Sequence, residues 1–136
     1  MTLQRLNDPG LAPAVGFTHA VVGDAAGRTV FLAGQTATDA GGGLTGVGIV
    51  AQFETALRNL LTALASAGGN PADLATLTVY AVDLEDYKAH ARELGAVWRR
   101  LAGRDYPAMA AVGVTRLWDS AAVVELQGVA VLPPLG

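Results

Sequence analysis

The 136-residue chain has no cysteine, a single lysine and two histidines, and each shortage removes a class of chemistry. Without thiols there can be no disulfide framework, and no thiolate can act as nucleophile or metal ligand. Schiff-base chemistry would have to use Lys88, which falls on the wet face of a helix. His19 and His90 are far apart, with no further His or Cys at ligand spacing, so no metal site is expected. Ser66 and Ser120 stand at a helix end and a turn, outside any G-x-S-x-G context, which excludes a serine triad.

Charge is scarce as well. Charged residues make up 15% of the chain, where about a quarter is usual, and the net charge is −3. The only basic cluster, Arg99, Arg100 and Arg104, closes a helix, where the dipole already favours cations. No basic stripe exists to track phosphates, so a nucleic-acid partner is disfavoured. Apolar residues account for 51% of the chain, yet no run approaches the roughly 20 residues that span a bilayer. Residues 1–15 include Asp8, Pro9 and Pro13 and lack the pattern of a signal peptide, which gives a cytoplasmic expectation with no membrane partner. Such an oily, charge-poor surface on one small domain (1–136) points to cover by other copies, a homo-oligomer.

The apolar residues that are present carry two periods. Residues 17–22 and 29–35 read as strands joined through the turn-rich Gly23–Gly27 as a hairpin. The glycine-rich loop over 41–48 lacks a following Gly-Lys-Ser/Thr and reads as a flexible connection, not a phosphate cradle. From Ile49 to Ala67, Val50, Phe53, Leu57, Leu60, Leu61 and Leu64 recur at three- and four-residue steps, one face of a five-turn helix. Gly68-Gly69 ends it and Pro71 prevents its resumption. Residues 76–82 alternate as a strand, and Asp83 caps a second helix that runs to Gly103. Residues 109–117 and 121–132 complete the order β-β-α-β-α-β-β: an α/β fold, a single mixed sheet with two helices on one face. The other face then needs a cover.

Glu125 is the conspicuous residue, a carboxylate inside the apolar run Ala121–Val131. Burying it unpaired is costly. Either it points to solvent or pairs with an arginine, or it lies in a cleft where it can position or activate a water. His19 alternates with Phe17 and Val21 and faces a pocket or a subunit contact, whereas His90 reads as solvated.

Several segments carry a resemblance: Gly34-Gln35 after an apolar strand, Gln52-x₄-Leu57-x-Asn59-Leu60 on the first helix, and Gly68-Gly69 closing it. Thr78-Val79-Tyr80-x-x-Asp83, Tyr106-Pro107-Ala108 and Val124-Glu125-Leu126-Gln127-Gly128-Val129-Ala130 follow in order. Together, over residues 14–132, they resemble the Rid/YjgF family of imine/enamine deaminases, also labelled endoribonuclease L-PSP. The resemblance implies a chorismate-mutase-like fold, a homotrimer with clefts between subunits, and a site without metal or cofactor. It implies that Glu125 orients the attacking water, that Gly34 lines the cleft through its backbone, and that Phe17 replaces a tyrosine. It also implies an arginine after Tyr106-Pro107-Ala108, but Met109 stands there and cannot pair with a carboxylate. Arg116 lies at an odd offset along the same strand and is a poor replacement. Ala91 occupies the place of an asparagine of the second helix. The expected cleft is lined by Phe17, His19, Gly34, Met109 and Glu125. The expected activity is hydrolysis of an imine or enamine metabolite, with His19 assisting Glu125. The alternatives are a non-catalytic small-molecule-binding or chaperone-like trimer and, disfavoured by the acidic balance, a ribonuclease.

Overall fold

A computed structural model describes residues 3–135. Its centre is a four-stranded mixed sheet of order β3-β6-β4-β5. The strands are β3 (Arg28–Gln35), β4 (Leu74–Ala81), β5 (Ala108–Gly113) and β6 (Val124–Leu132). β6 is antiparallel to both neighbours and β4–β5 is the parallel pair. The α/β architecture, with its mixed sheet and helices gathered on one face, is the one expected. Among the described residues no helix is long and apolar enough to cross a membrane.

Strand alternation divides the sheet into a covered and an open face. Leu77, Val79 and Ala81 of β4 and Val124, Leu126, Ala130 and Leu132 of β6 are buried under the helices. Helix α1 (Ile49–Ser66) supplies Ile49, Phe53, Ala56, Leu57, Leu60 and Leu64 to this core. Val50 and Leu61, read as part of its stripe, flank the core only partly buried. Each fully buried leucine contributes about 1.5–3 kcal/mol through loss of apolar surface from water. The helix ends where Gly68 takes φ +87°, a left-handed conformation that favours glycine.

Three local features depart from the sequence reading. The expected hairpin does not form: β2 (Ala20–Val22) pairs with β1 (Gln4–Leu6), not with β3. Residues 16–19 leave the strand direction because Thr18 is pinned elsewhere. Its N–H donates to the Pro107 carbonyl (3.0 Å) and its hydroxyl to the Tyr106 carbonyl (2.7 Å). The second helix is broken into α2 (Leu84–Ala89) and α3 (Ala91–Ala102) at His90, whose φ of −105° and ψ of 17° lie off the helix. The His90 ring donates from Nδ1 to the Asp86 carbonyl at 2.9 Å, an acceptor it shares with the His90 N–H at 3.2 Å. Asp83 caps α2 as expected, accepting from the Asp86 N–H at 3.1 Å. Finally, β5 stops at Gly113, so Arg116 stands in the following loop rather than in the strand, its Nε donating to the Leu117 carbonyl.

Candidate functional site

Glu125 pairs with Tyr80 across β6 and β4, and Tyr80 belongs to the alternation set that faces away from the helices. The carboxylate is therefore on the open face and half-buried in the single chain, not inside the core. Its neighbours in β6 are apolar because every second residue of β6 faces the core. No hydrogen bond or ion pair from the described residues reaches the Glu125 carboxylate.

Gly34 is next to it. Between Leu32 and Gln35 the β3–β6 register slips, two residues of β3 facing one of β6, which is a β-bulge. Bulges re-aim the chain beside functional groups. The Glu125 carboxyl lies directly over Gly34, where an added Cβ would collide with its Oε2 and stand 2.8 Å from its Cδ. Only glycine leaves room for this placement. The result is a lone acceptor without a cationic partner, seated on backbone and open to solvent, able to accept a hydrogen bond from a water or a ligand.

Met109 is on the other side of the sheet. It pairs with the buried Leu77 and packs against the core cluster. It also lines a cavity of about 440 Å³ between β5, α3 and the 15–16 segment. The Thr18–Ala108 bridge brings Phe17 to the start of β5, one residue before Met109. The rings of Phe17 and His19 stand 5.6 Å apart. His19 is engaged at both nitrogens: the Asp8 N–H donates to Nδ1 (3.2 Å), and Nε2 donates to the Ala12 carbonyl (2.9 Å). In the single chain this ring braces the 7–12 loop.

The five residues singled out in the sequence thus form two groups. Gly34 and Glu125 meet on the open face. Met109 lies on the covered face, with Phe17 beside the entrance of its strand and His19 next to Phe17. One chain does not gather Met109 and Glu125 into one cleft.

The sequence reading missed the walls of the cavity. Trp98 and Tyr106 stack with centroids 5.2 Å apart and planes 13° from parallel, and Trp98 Nε1 donates to the Asp105 carbonyl at 3.1 Å. Tyr87 also lines it, and burial pushes its phenol above the ordinary value, so the hydroxyl keeps its proton near neutrality. Arg92, Gly95 and Arg99 complete the rim. Their i, i+3, i+7 spacing was the available signal, masked by the dipole explanation given to Arg99. Among the described residues no group of three His, Asp or Glu side chains is close enough to hold a metal ion.

A small α/β protein with a lone carboxylate on a bulged open sheet face and an aromatic cavity behind it is the class so defined. The family model described as Endoribonuclease L-PSP matches residues 8–132, and the chain belongs to that family, the Rid/YjgF proteins. A human protein named 2-iminobutanoate/2-iminopropanoate deaminase is 27% identical over 136 residues, covering 98% of this chain and 93% of its own length. The crystal structure of the Rid-family protein YyfB from Yersinia pestis, of unknown function, has a TM-score of 0.85 at 34% identity. It covers 97% of this chain and 100% of its own. The crystal structure of TdcF from E. coli with bound serine has a TM-score of 0.69 at 25% identity, covering 91% of each chain.

Proposed function

We propose that the protein is a Rid-type hydrolase of an imine or enamine metabolite, acting in the cytoplasm as a homotrimer without metal or organic cofactor. The supporting observation is the Glu125 carboxylate, seated over Gly34 with no cation to neutralise it. In the proposed reaction Glu125 takes a proton from water as the water oxygen attacks the imine carbon. The C=N π pair moves to nitrogen. Glu125 returns the proton to that nitrogen, giving a carbinolamine. It then takes the proton of the new hydroxyl and passes it to the amine as the C–N bond breaks, so that ammonia leaves and the oxygen becomes a carbonyl.

The site is proposed to be shared between subunits, with the Gly34–Glu125 half of one copy set against the Phe17–His19–Met109 half of another. The placement of Met109 and Glu125 on opposite sheet faces supports this, because two copies can bring together what one cannot. Apolar exposure on the open face supports it further, with Phe31 81% and Val112 39% exposed.

Met109 favours a second reading, a small-molecule-binding or chaperone-like trimer that kept the scaffold and lost the chemistry. A guanidinium there would add charge-assisted contacts of about 1.5–3 kcal/mol to a carboxylate, and a thioether adds none. Ammonia release from a panel of enzymatically generated imines, above the spontaneous rate, separates the two. Hydrolysis that Glu125→Ala abolishes supports the enzyme. Tight metabolite binding with no hydrolysis of any imine supports the binding protein. Met109→Arg should raise activity on short imino acids such as 2-iminobutanoate by roughly tenfold or more.

A further inference from the structure

The cavity behind Met109 has a charge pattern that the water-positioning role of Glu125 leaves unexplained. Its walls are aromatic, the stacked Trp98 and Tyr106 with Tyr87 beside them. Trp98 is 2% exposed with its indole N–H tied to the Asp105 carbonyl, so it backs the wall and the half-buried rings of Tyr106 and Tyr87 give most of the open apolar surface. The rim is cationic: Arg92 and Arg99 both line it, and no carboxylate does. Seven residues apart on α3, they share a face, with Cα atoms about 10 Å apart along the axis.

Among the described residues, three arginines are held in ion pairs, and Arg92 and Arg99, like Arg28, Arg104 and Arg116, are not among them. Arg58 and Arg100 both pair with Glu54, and Arg5 pairs with Asp105. Among the described residues neither Arg92 nor Arg99 has a carboxylate within ion-pair distance. Between them is Gly95, a helix-interior residue that, proline apart, is the least favourable for helix formation. A Cβ there would be in ordinary contact with Arg99 Nη1, at 3.6 Å. Nothing in the packing therefore requires glycine at 95. Its absent side chain instead keeps the rim low between the two arginines, beside the Arg99 guanidinium.

The geometry points to an acid-reading pocket on α3: Arg92 and Arg99 bind the carboxylate of a monocarboxylic ligand whose apolar body lies against the Trp98–Tyr106 stack. The guanidinium missing from β5 is replaced in function by guanidinia on the helix. A cavity of about 440 Å³ accommodates a body of phenyl or branched-alkyl size, larger than a two- or three-carbon acid needs. Acids with such a body, as their imines, would be the substrate class of the proposed imine site. The assignment rests on that reading for what is done to the ligand, and not for how the ligand is held.

Binding is therefore measured without chemistry, by calorimetric titration of the Glu125→Gln protein with 3-phenylpropanoate, its neutral amide and acetate. The acid should bind, and the amide and acetate should bind at least about tenfold more weakly. Arg92→Ala and Arg99→Ala should each weaken the acid about three- to tenfold, a modest factor because both guanidinia are solvent-exposed. Rising salt should weaken the acid and leave the amide unaffected. Gly95→Leu should abolish binding, while Gly95→Ala folds at least as well as the parent and binds more weakly. Arg104→Ala, away from the rim, should change nothing. Equal affinity for acid and amide, or arginine variants that bind the acid normally, would overturn the pocket. So would arginine variants whose only change is loss of assembly by light scattering, since the rim would then be a contact between copies. Acid binding that follows this pattern in a wild-type protein unable to hydrolyse any imine would sustain the pocket and remove the hydrolase reading alone.

Discussion

Replacing Gly34 by alanine tests the link between the β3 bulge and Glu125 with a single carbon atom. The added Cβ would stand 2.8 Å from the Glu125 Cδ and 3.2 Å from its Cγ, both inside ordinary contact distance. The obstruction is the end of a flexible side chain on an open face, so the carboxylate swings aside while the sheet stays in place. An off-rotamer side chain costs about 0.5–1.5 kcal/mol. The entropy that alanine removes from the unfolded chain offsets about 0.4–1 kcal/mol of this. Stability should then change by less than about 1 kcal/mol, roughly 4 °C in Tm for a chain of this size. The effect on catalysis is larger, since a displacement of about 1 Å lowers a positioned reaction by about a hundredfold, or 2.7 kcal/mol. Initial rates of ammonia release and thermal melts on one preparation report both quantities. A variant with unchanged kcat/KM would refute the claim that the bulge positions the carboxylate. A fall in Tm of 10 °C or more would show that Gly34 serves the core instead.

Two further perturbations probe what holds the site. Gln52 is 3% exposed and clamps the entry to β6, donating to the Gly46 and Ala121 carbonyls and accepting from the Val123 N–H. Gln52→Leu keeps the volume and orphans these groups, so it should cost about 3 kcal/mol, or about 10 °C in Tm, and a melt within 2 °C of wild type would contradict the clamp. His90 is held above its ordinary value of 6.5 chiefly by its bond to the Asp86 carbonyl, with the Asp86 and Glu93 carboxylates adding to this. The folded chain binds this proton more tightly than the unfolded chain, so its stabilisation is complete below 6.5 and is lost as pH rises through the higher folded value. The Tm of wild type should fall relative to His90→Ala as pH rises from 6 to 8, and parallel curves would contradict it.

The long regular elements were legible because their periods survive folding intact. The three- and four-residue steps of α1 and the alternation of β4 require no knowledge of distant residues. Glu125 stood out for the same reason, a charge breaking an apolar pattern, although only the register with Tyr80 reveals that it faces outward. The pairing of β1 with β2 was not legible, since three residues carry no period and the decisive bond runs from Thr18 to Tyr106. The break at His90 lies within an otherwise continuous amphipathic stripe, where no change of period marks it. The Met109 cavity is the clearest case. Its walls come from α1, α2, α3 and β5, and Arg99 looked fully explained by its place at a helix end.

The most direct test of the proposed shared cleft mixes two variants, each expected to be inactive alone for a different reason. Glu125→Gln lacks the proposed water-activating group, and Met109→Trp fills the pocket beside the aromatic stack. Co-refolded in equal amounts, random trimers place an intact pocket against an intact Glu125 in about a quarter of their clefts. Ammonia release should recover to about that fraction of wild type. Mixed trimers, verified by mass, that stay as inactive as either parent would contradict a site shared between copies of the chain.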